Sequence, residues 1–377
     1  LTGITQEETM LLLFPDAPSK SQQEILFIRK PDELLEKWEG HKLTRSEATA
    51  LSGIDTVMFT SDFQKTFHHL MTMGGGASLY LNTNEHYRSE VVVQTRDARF
   101  IDWCKMHYPL HPMERLAPLM GNLRSVKSTA EINLMQEACD ITERGFRRVL
   151  EFVKPGVWEF EIEAEFIHEF IKNRSRGFAY QPIIASGSNN VILHYNDNDQ
   201  QCKAGDLILM DVAAEYASYN ADMTRTIPVS GKFTKRQKDV YKAVHRVMKE
   251  AQSLMSTSIK YFDYHREIEK VLASELVGLK LIDKSDLKQK GGEQAFRKYY
   301  YHGTSHMLGL DVHDVGNMHE KMKAGSVWTI EPGIYIKEEG FGIRLENNFQ
   351  LTRSGVKDLM KNIPLEADEI EALMNSK

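Results

Sequence analysis

Two segments of the sequence each carry a pair of acidic residues in what reads as a β-hairpin. In the first, Asp211 follows an apolar run at 207–210, and Asp222 opens a second strand-like run that ends near residue 227. Opposed residues of an antiparallel hairpin have a constant number sum, so a turn centred on the step from Tyr216 to Ala217 would set Asp211 directly opposite Asp222. Opposed Cβ atoms lie about 4.5–5.5 Å apart, and two bare carboxylates at that distance repel each other. A bound cation would remove that repulsion.

The second acidic pair lies nearer the end of the sequence. Glu331 falls in a strand-like segment at 326–336 and Glu346 in another at 341–351, with a turn-like segment at 337–340 between them. Both glutamates are equidistant from the middle of that turn, so they too can face each other. A single acidic residue in a strand usually lies on a solvated face or protects a sheet edge. The turn symmetry of both pairs instead favours a site for two metal ions, which sit about 3.5–4 Å apart in such sites.

Three histidines lie between the two acidic hairpins, in the glycine-containing segment 301–316. They are His302, His306 and His313. A neutral imidazole is a common metal ligand, and it can also donate a hydrogen bond to an oxyanion. A lone histidine would more often be a packed or capping residue, but the clustering of three favours a site. Spacing does not decide which of them ligates, and no H-E-x-x-H pair is present because no glutamate follows His302.

Several stretches of the sequence together carry a family resemblance. They are Ile192-Leu193-His194-Tyr195, Met210-Asp211, Ala221-Asp222-Met223-Thr224-Arg225-Thr226, residues 302–316, Thr329-Ile330-Glu331-Pro332-Gly333 and Gly342-Ile343-Arg344-Leu345-Glu346. These stretches resemble the M24 metallopeptidase family, whose catalytic domain has the pita-bread fold. The resemblance is close from Ser128 onward and looser over the first third of the chain. The His-Gly-Thr-Ser-His form at 302–306 is most similar to bacterial-type aminopeptidase P, since prolidases usually have glycine in place of Ser305.

The resemblance implies a set of five metal ligands for two divalent ions. Asp211 would bind one ion, and Asp222 and Glu346 would bridge both. His306 and Glu331 would complete the shell of the other ion. An oxygen-rich shell with one imidazole suits Mn²⁺ best, with Co²⁺, Fe²⁺ or Zn²⁺ as alternatives.

The resemblance also implies catalytic and substrate-binding roles for neighbouring residues. Glu331 would act as a proton shuttle, and His313 would contact both the substrate and the developing oxyanion. His302 and His194 would line the substrate pocket, with His302 counted among the catalytic residues as well. Arg344 would lie near the two bridging carboxylates and support them.

The implied reaction is release of the N-terminal residue from peptides with proline in second position, by attack of metal-activated water. The nearest alternative is an Xaa-Pro dipeptidase. A non-catalytic peptide-binding protein on the same scaffold and a creatinase-like hydrolase of small molecules are disfavoured, because such relatives lack metal ligands that this chain retains. The resemblance further implies a homo-oligomer, either a dimer or a tetramer.

The helices and strands expected to position these residues, together with the resemblance, predict an α+β protein with two domains. We predict a smaller α/β N-terminal domain at 1–124 and a pita-bread catalytic domain at 125–377. The N-terminal elements predicted from local patterns are strands at 10–14, 24–28, 56–59 and 79–81, a helix at 32–39 and a loop at Gly74-Gly75-Gly76. The first two strands are expected to form a hairpin.

Two amphipathic helices are predicted at the start of the catalytic domain. Ser128 and Glu131 form an S-x-x-E capping box ahead of the first helix. Its expected buried face consists of Ile132, Met135, Cys139 and Phe146. The second helix is predicted at 159–172, with a buried face of Phe160, Ala164, Ile167 and Ile171.

Composition narrows the class of protein further. A chain of 377 residues exceeds the roughly 250–300 residues of a single core, and a formal net charge of -6 argues against a nucleic-acid partner. No apolar run is long enough to span a membrane, and the first residues do not resemble a signal peptide. Three scattered cysteines, Cys104, Cys139 and Cys202, predict reduced thiols and a cytoplasmic location.

Two details depart from the family pattern. Val212-Ala213 follows Asp211 where the family often has Ala-Gly, and Asn347 follows Glu346 where the family often has an acidic residue. Both changes could alter pocket shape or metal affinity. Leu1-Thr2-Gly3 resembles a segment well inside the family's N-terminal domain, so an upstream part of that domain is expected to be absent from this sequence.

Overall fold

The computed structural model describes residues 1–73, 78–86, 90–288 and 292–376, with the side chains of 292–294 outside that description. The loop predicted at Gly74-Gly75-Gly76 lies outside the described residues. By internal packing the chain divides into Leu1–Ala117 and Pro118–Lys377. The boundary predicted at 124 assigns the helix Ala117–Ser125 to the first unit, whereas this division groups all but its first residue with the second.

The first unit combines two small sheets with helices. Its strands are β1 (Met10–Leu13), β2 (Glu24–Ile28), β3 (Val57–Phe59), β4 (Leu79–Leu81) and β5 (Met113–Arg115). Its helices are α1 (Lys20–Gln23), α2 (Glu33–Glu39), α3 (Arg45–Ser52), α4 (Phe63–Thr72) and α5 (Arg96–His107). β1 pairs antiparallel with β2, β2 parallel with β3, and β4 parallel with β5. The predicted strands, hairpin and helix of this unit are therefore confirmed.

The second unit combines short antiparallel ladders with helices. Its helices are α6 (Ala117–Ser125), α7 (Thr129–Phe152), α8 (Glu159–Lys172), α9 (Lys235–Leu254), α10 (Tyr261–Gly278), α11 (Gly292–Arg297) and α12 (Ala367–Met374). Its strands are β6 (Ile183–Ser186), β7 (Leu207–Asp211), β8 (Glu215–Tyr216), β9 (Tyr219–Asn220), β10 (Thr224–Pro228), β11 (Val327–Ile330), β12 (Gly333–Ile336), β13 (Phe341–Arg344), β14 (Asn347–Thr352) and β15 (Gly355–Asp358). β7 lies between β6 and β10, and β14 lies between β11 and β15.

The start of α7 forms as predicted. The Ser128 hydroxyl accepts from Glu131 N, and the Glu131 carboxylate accepts in return from Ser128 N, which together satisfy two free backbone donors of the first turn. The face predicted to be buried is buried, from Ile132 to Phe146. The cap therefore fixes where the helix begins, and the apolar stripe fixes how it packs.

The bounds predicted for α8 are confirmed, but its predicted buried face is wrong. Phe160 is 52% and Ile171 56% exposed, whereas Phe166 and Phe170 are fully buried. The reason lies on α7, where a Cβ at Gly145 would come within 2.9 Å of both buried rings. The glycine allows the two helices to approach closely, and this selects the face of α8 that turns inward.

β7 and β10 form the first predicted hairpin with a different register. Asp211 pairs with Thr224 instead of Asp222, and the same number sum continues through β8 and β9. The turn residues Ala217 and Ser218 have φ values of 50° and 71°, as a two-residue hairpin turn requires. The prediction that the two aspartates are directly opposed is wrong, because the turn centre lies one residue later than assumed. Asp222 still shares the face of Asp211, since side chains alternate with a period of two.

The second predicted hairpin has the expected register. β11 pairs with β14 and β12 pairs with β13, and the numbers of paired residues add to the same value in both ladders. This register sets Glu331 opposite Glu346 at the junction of the two ladders. Across that junction Leu345 N donates to Pro332 O at 3.2 Å. The turn falls at Lys337–Glu339 as predicted. One pair of opposed carboxylates is therefore a direct consequence of hairpin geometry.

Across the described part of the chain, no helix combines the length and the apolar character needed to cross a membrane.

Candidate metal centre

One cavity in the second unit collects every residue that the sequence predicted for the site. Its volume is ≈ 80 Å³, which leaves room for several water-sized groups at about 10–15 Å³ each. The lining residues are Leu193, His194, Asp211, Asp222, His302, His306, His313, Glu331, Arg344 and Glu346. The two acidic hairpins thus meet the histidine segment at one point in the fold.

Three side chains at the centre of the cavity have the arrangement of metal ligands. Asp222, His306 and Glu346 are all buried and each offers an oxygen or nitrogen within 4.8 Å of the other two. His306 Nε2 lies 3.3 Å from Asp222 Oδ2 and 3.5 Å from Glu331 Oε1. The opposite ring nitrogen, Nδ1, lies 3.0 Å from Met307 O. Donation from Nδ1 to that carbonyl leaves Nε2 directed at the carboxylates, as in a metal-bound imidazole.

Glu346 supplies the test of whether a cation fits this cavity. Its Oε2 accepts from Thr224 Oγ1 at 2.8 Å, but its Oε1 is buried without a hydrogen-bond partner among the described residues. Burial, followed by the charge of Asp222, raises the pKa of Glu346 well above its ordinary value. A buried carboxylate oxygen without a partner is costly, and a divalent cation would satisfy it. The donor set therefore fits a metal ion.

Asp211 lines the same cavity with both carboxylate oxygens already hydrogen-bonded. The Tyr180 hydroxyl donates to Oδ1 at 2.6 Å, and Arg344 Nη2 donates to Oδ2 at 2.6 Å. Burial raises the pKa of Asp211, and the nearby Arg344 guanidinium opposes that shift. Asp211 is thus held at the edge of the central group by two oriented donors.

Arg344 lies beside the carboxylates of the cavity and bonds directly to one of them. Its hydrogen bonds go to Asp211, to Thr224 Oγ1 at 3.1 Å and to Tyr335 Oη at 3.0 Å. It therefore connects to Glu346 through the Thr224 hydroxyl, and its ion pair is with Asp211. Its positive charge offsets part of the negative charge of the cavity.

His302 is a neutral, oriented imidazole. Burial lowers its pKa to about 3, so the ring is uncharged near neutral pH. Nδ1 lies 2.8 Å from Gly303 O, which requires a proton on that nitrogen, and Nε2 lies 2.8 Å from Tyr335 Oη. The Tyr335 hydroxyl thus accepts from Arg344 and donates to His302, which links the two residues.

Glu331 has a proton affinity suited to neutral pH. Burial raises its pKa to about 7, although the His306 ring lowers it and Asp222 adds to the rise. The side chain keeps 19% exposure, so it borders the cavity at a point that solvent can reach. A carboxyl group with such a pKa can both take up and release a proton at neutral pH.

The remaining predicted histidines lie at the border of the cavity. The His313 ring stands nearly perpendicular to that of His306, with centroids 4.4 Å apart and an interplanar angle of 81°. His194 is exposed and lines the same space. Both are placed where a bound substrate could touch them.

Three functional neighbours were not singled out from the sequence. They are Tyr180, Thr224 and Tyr335. Strand alternation could have identified Thr224, which shares a face with Asp222. It could also have identified Tyr335, which lies an even number of residues from Glu331. Tyr180 lies in an irregular stretch before β6, where no local pattern identifies it.

Comparison with known protein families accounts for both units. The family model of metallopeptidase family M24 matches residues 133–353. The family model of the aminopeptidase P N-terminal domain matches residues 1–80. The chain belongs to the M24 metallopeptidase family.

Individual M24 relatives match over the length of the chain. The Xaa-Pro aminopeptidase of Haemophilus influenzae is 33% identical over 390 residues, which cover 100% of this chain and 86% of that protein. The structure of Pseudomonas aeruginosa aminopeptidase PepP has a TM-score of 0.89 at 30% identity, covering 100% of this chain and 87% of that one. Zinc-substituted Escherichia coli aminopeptidase P in complex with product has a TM-score of 0.88 at 30% identity, with the same coverage.

These matches confirm the predicted fold class. The second unit has the pita-bread fold of M24 catalytic domains, and the first is an aminopeptidase P N-terminal domain of mixed α/β content. Family membership identifies the chain as a peptidase.

One departure from the M24 pattern has a clear structural setting. Asn347 Oδ1 accepts from Arg225 Nη2 at 2.7 Å, and Asn347 Nδ2 donates to Asp358 Oδ2 at 2.8 Å. The fully buried Arg225 also donates to Glu346 O at 2.6 Å. A neutral amide can serve both partners at once, whereas a carboxylate at this position would face Asp358 without a proton to donate.

Proposed function

We propose that this chain is a two-metal aminopeptidase that releases the N-terminal residue from peptides with proline in second position. The observation that carries the proposal is the buried group of Asp222, His306 and Glu346, whose ligand atoms lie within 4.8 Å of one another. The choice of substrate is supported by matching relatives that are named Xaa-Pro aminopeptidase and aminopeptidase P.

Five side chains hold the two ions in this proposal. Asp222 and Glu346 would contribute to both shells, Asp211 would complete one shell, and His306 and Glu331 would complete the other; all five side chains line the cavity. Mn²⁺ suits a shell of carboxylate oxygens with one imidazole, and Co²⁺, Fe²⁺ or Zn²⁺ are the alternatives. Divalent ions bound here supply Lewis-acid polarisation of the scissile carbonyl and lower the pKa of water from 15.7 toward about 7.

Glu331 moves the proton in this reaction. Its carboxylate lies at the border of the cavity with 19% exposure, where it takes a proton from the attacking water and hands it on within one cycle. The acceptor is the proline nitrogen, which carries no hydrogen while it is part of the peptide bond. Protonation at that atom converts the departing proline into a stable amine, so the bond does not re-form.

The neighbouring residues orient the substrate and stabilise developing charge. His313 donates to the carbonyl oxygen as it becomes negative, a type of contact worth about 10²–10³ in rate. His302, held neutral and oriented by Tyr335, lines the pocket together with His194. Arg344 favours the ionised form of Asp211 and orients its carboxylate through a 2.6 Å ion pair.

An adjoining cleft supports an aminopeptidase over a dipeptidase. The cleft has a volume of ≈ 650 Å³ and shares Tyr335 with the network around His302. Tyr301 and Ile192 also line it and are 42% and 50% exposed, so the cleft is open to solvent. A peptide longer than two residues therefore has space to continue beyond the site. A dedicated dipeptidase would instead need a closed end that caps the proline carboxylate.

The test compares three substrates on protein that has been stripped with a chelator and reloaded with Mn²⁺. They are an Xaa-Pro-Xaa tripeptide, the same tripeptide with alanine in second position, and an Xaa-Pro dipeptide. We expect metal-dependent release of the first residue from the proline tripeptide, with much slower cleavage of the other two. Equal cleavage of both tripeptides would contradict the substrate assignment, and turnover of the dipeptide alone would identify the dipeptidase alternative.

The oligomeric state and the cellular setting stay predictions. The cysteines at 104, 139 and 202 are all buried, and burial raises the pKa of the Cys104 thiol to about 11 and that of Cys202 to about 12. Protonated, buried thiols react slowly, which is compatible with the reducing, cytoplasmic setting expected from the sequence. Light scattering of the purified protein would test the expected dimer or tetramer.

A further inference from the structure

A second group of buried charges lies close to the histidines of the metal centre. Lys127 Nζ donates to Asp314 Oδ2 at 2.9 Å, and both side chains are only 1% exposed. Arg124 Nη2 and Val315 N donate to the other carboxylate oxygen at 2.5 and 2.9 Å. Burying such an ion pair costs much of what the attraction returns, so stability alone does not explain its presence. A role in positioning neighbouring segments would explain why it is there.

At one end, the ion pair connects to two histidines of the cavity. Asp314 directly follows His313, and Asp314 N donates to Met307 O at 2.8 Å. The same carbonyl oxygen lies 3.0 Å from Nδ1 of the metal-ligand candidate His306. Asp314 is therefore adjacent in sequence to His313, and it shares the Met307 carbonyl oxygen with His306.

At the other end, the ion pair connects to the hairpin that carries Glu331 and Glu346. Lys127 N donates to Gly325 O at 2.9 Å, and Gly325 N donates to Leu351 O on β14 at 2.8 Å. The Lys127 backbone is thus fixed to the base of the hairpin, while its side chain reaches the histidine segment. The ion pair thus ties the histidine segment to the hairpin that carries Glu331 and Glu346.

The sequence leaves a specific space for this contact at Gly309. A Cβ there would lie 2.3 Å from Asp314 Oδ2 and 2.8 Å from Lys127 Cε. Any larger residue would force the lysine and the aspartate apart. Asn220, on the first hairpin, also holds this position by donating from its backbone N to Gly309 O at 2.9 Å.

We propose that the Lys127–Asp314 ion pair is a buried latch that fixes the His313 imidazole beside His306 at the metal centre. Lys127 and Asp314 are positioning residues, because neither is among the residues that line the cavity. Their effect on turnover is expressed through His313 and rests on the proposed function. Their effect on the order of segment 307–316 does not depend on any activity.

The first experiment substitutes Lys127→Met, which removes the charge and keeps most of the side-chain volume. We expect kcat to fall about 10- to 100-fold, as displacement of a catalytic group by about 1 Å can cause. KM is expected to change much less, and the content of bound Mn²⁺ is expected to stay at the wild-type value. Val244→Ala, a fully buried truncation in α9, is the matched control that lowers thermal stability without touching the latch, and its kcat should equal that of wild type.

The second experiment repeats Lys127→Met in a His313→Ala background. If the lysine acts through His313, the double variant has the same kcat/KM as His313→Ala alone, because coupled residues are not additive. A further loss equal to that of the single Lys127→Met variant would overturn the proposal. Should Lys127→Met fail to fold, Asp314→Asn, which preserves the shape of the side chain, takes its place in both experiments.

Hydrogen exchange separates the latch from the proposed function. In Lys127→Met, amides of segment 307–316 should exchange faster than in wild type, while Val244→Ala leaves that segment unchanged. Unchanged exchange there in both Lys127→Met and Asp314→Asn would refute the latch, whether or not the wild type cleaves peptides. Faster exchange in Lys127→Met, together with a wild type that cleaves no Xaa-Pro peptide, would retain the latch and refute only the function.

Discussion

Glu331 and Glu346 face each other across the junction between two antiparallel ladders of one hairpin. β11 pairs with β14 on one side of the junction and β12 with β13 on the other, so the opposition is fixed from both sides. Opposed Cβ atoms in such a position lie about 4.5–5.5 Å apart. Burial raises the pKa of Glu331 to about 7 and that of Glu346 well above its ordinary value. The fold therefore holds two carboxyl groups close together. Without a cation, both favour the protonated form more than an exposed glutamate does.

The first prediction concerns the stability of metal-free protein as a function of pH. A carboxyl whose folded pKa exceeds its unfolded value makes the folded state bind more protons, so the free energy of unfolding falls as pH rises. For Glu331 the window runs from its ordinary value of 4.5 to about 7, which corresponds to about 3 kcal/mol. Chelator-treated protein should thus melt at lower temperature at pH 8 than at pH 5, as measured by calorimetry.

Metal and substitution provide the controls for this prediction. Bound Mn²⁺ stabilises the ionised carboxylates, so loaded protein should lose most of the decline between pH 5 and pH 8. Glu331→Gln should make the profile of the metal-free protein less steep, with the rest of the decline due to Glu346 and Asp211, whereas Glu250→Gln, on the exposed side of α9, should leave it unchanged. A metal-free protein that is more stable at pH 8 than at pH 5 would contradict the prediction.

The second prediction is that Asp222→Asn abolishes metal binding and leaves the fold intact. The Asp222 backbone is held by the Asn348 side chain: Asp222 N donates to Asn348 Oδ1 at 3.0 Å, and Asn348 Nδ2 donates to Asp222 O at 2.6 Å. These backbone contacts survive the substitution. We expect activity to fall more than about 100-fold, beyond the 10- to 100-fold loss typical of residues that only support a ligand.

Elemental analysis and circular dichroism check the second prediction together. The variant should contain much less metal than wild type and give the same far-UV spectrum. Asp55→Asn, an exposed carboxylate of the first unit, is the control that should retain metal and activity. Wild-type turnover by an Asp222→Asn protein with its full complement of metal would remove Asp222 from the ligand set.

The third prediction concerns Tyr335→Phe. The hydroxyl accepts from Arg344 Nη1 at 3.0 Å and donates to His302 Nε2, 2.8 Å away. Its loss leaves two buried polar groups each one hydrogen bond short, at a cost of about 1–3 kcal/mol. We expect kcat/KM to fall about 10-fold because His302 loses its orientation, with metal content unchanged.

A second tyrosine provides the comparison for Tyr335→Phe. Tyr241 is fully buried and donates to Leu365 O at 2.7 Å, but it is not among the residues that line the cavity. Tyr241→Phe should lower the melting temperature without lowering kcat/KM. If the two variants lose equal activity, the effect of Tyr335→Phe is one of stability and not of His302 orientation.

The two hairpins illustrate how far local sequence patterns reach. The turn at Lys337–Glu339 is short and polar, so symmetry about its centre gave the correct opposition of Glu331 and Glu346. The first hairpin turns at Ala217-Ser218, which adopt positive φ without the glycine or asparagine that usually reveals such a turn. Residue types therefore do not locate the centre of this turn. Because the partner of Asp211 lies two residues beyond Asp222, the two aspartates still share one face of the ladder.

Contacts between distant segments account for the other differences. The inward face of α8 was ambiguous, because apolar residues occur around much of the helix, and Gly145 on a different helix decided it. Lys127 and Asp314 are 187 residues apart in sequence, and neither has a local pattern that marks it for a buried ion pair. The candidate ligands, in contrast, each lie in a motif that can be recognised within a few residues, and the structure brings all of them to one cavity.

The last prediction concerns the space at Gly309, compared with a glycine on a nearby element. In Gly309→Ala the new Cβ would come within 2.3 Å of Asp314 Oδ2 and 2.8 Å of Lys127 Cε, and such overpacking typically costs about 1–3 kcal/mol. In Gly121→Ala, in the helix α6, the Cβ meets nothing within 4 Å, and alanine should stabilise the helix by about 0.5–1 kcal/mol. Thermal melts should therefore move in opposite directions, and kcat should fall only for Gly309→Ala. A Gly309→Ala protein with wild-type melting and kcat would mean that the lysine and aspartate do not need this close approach.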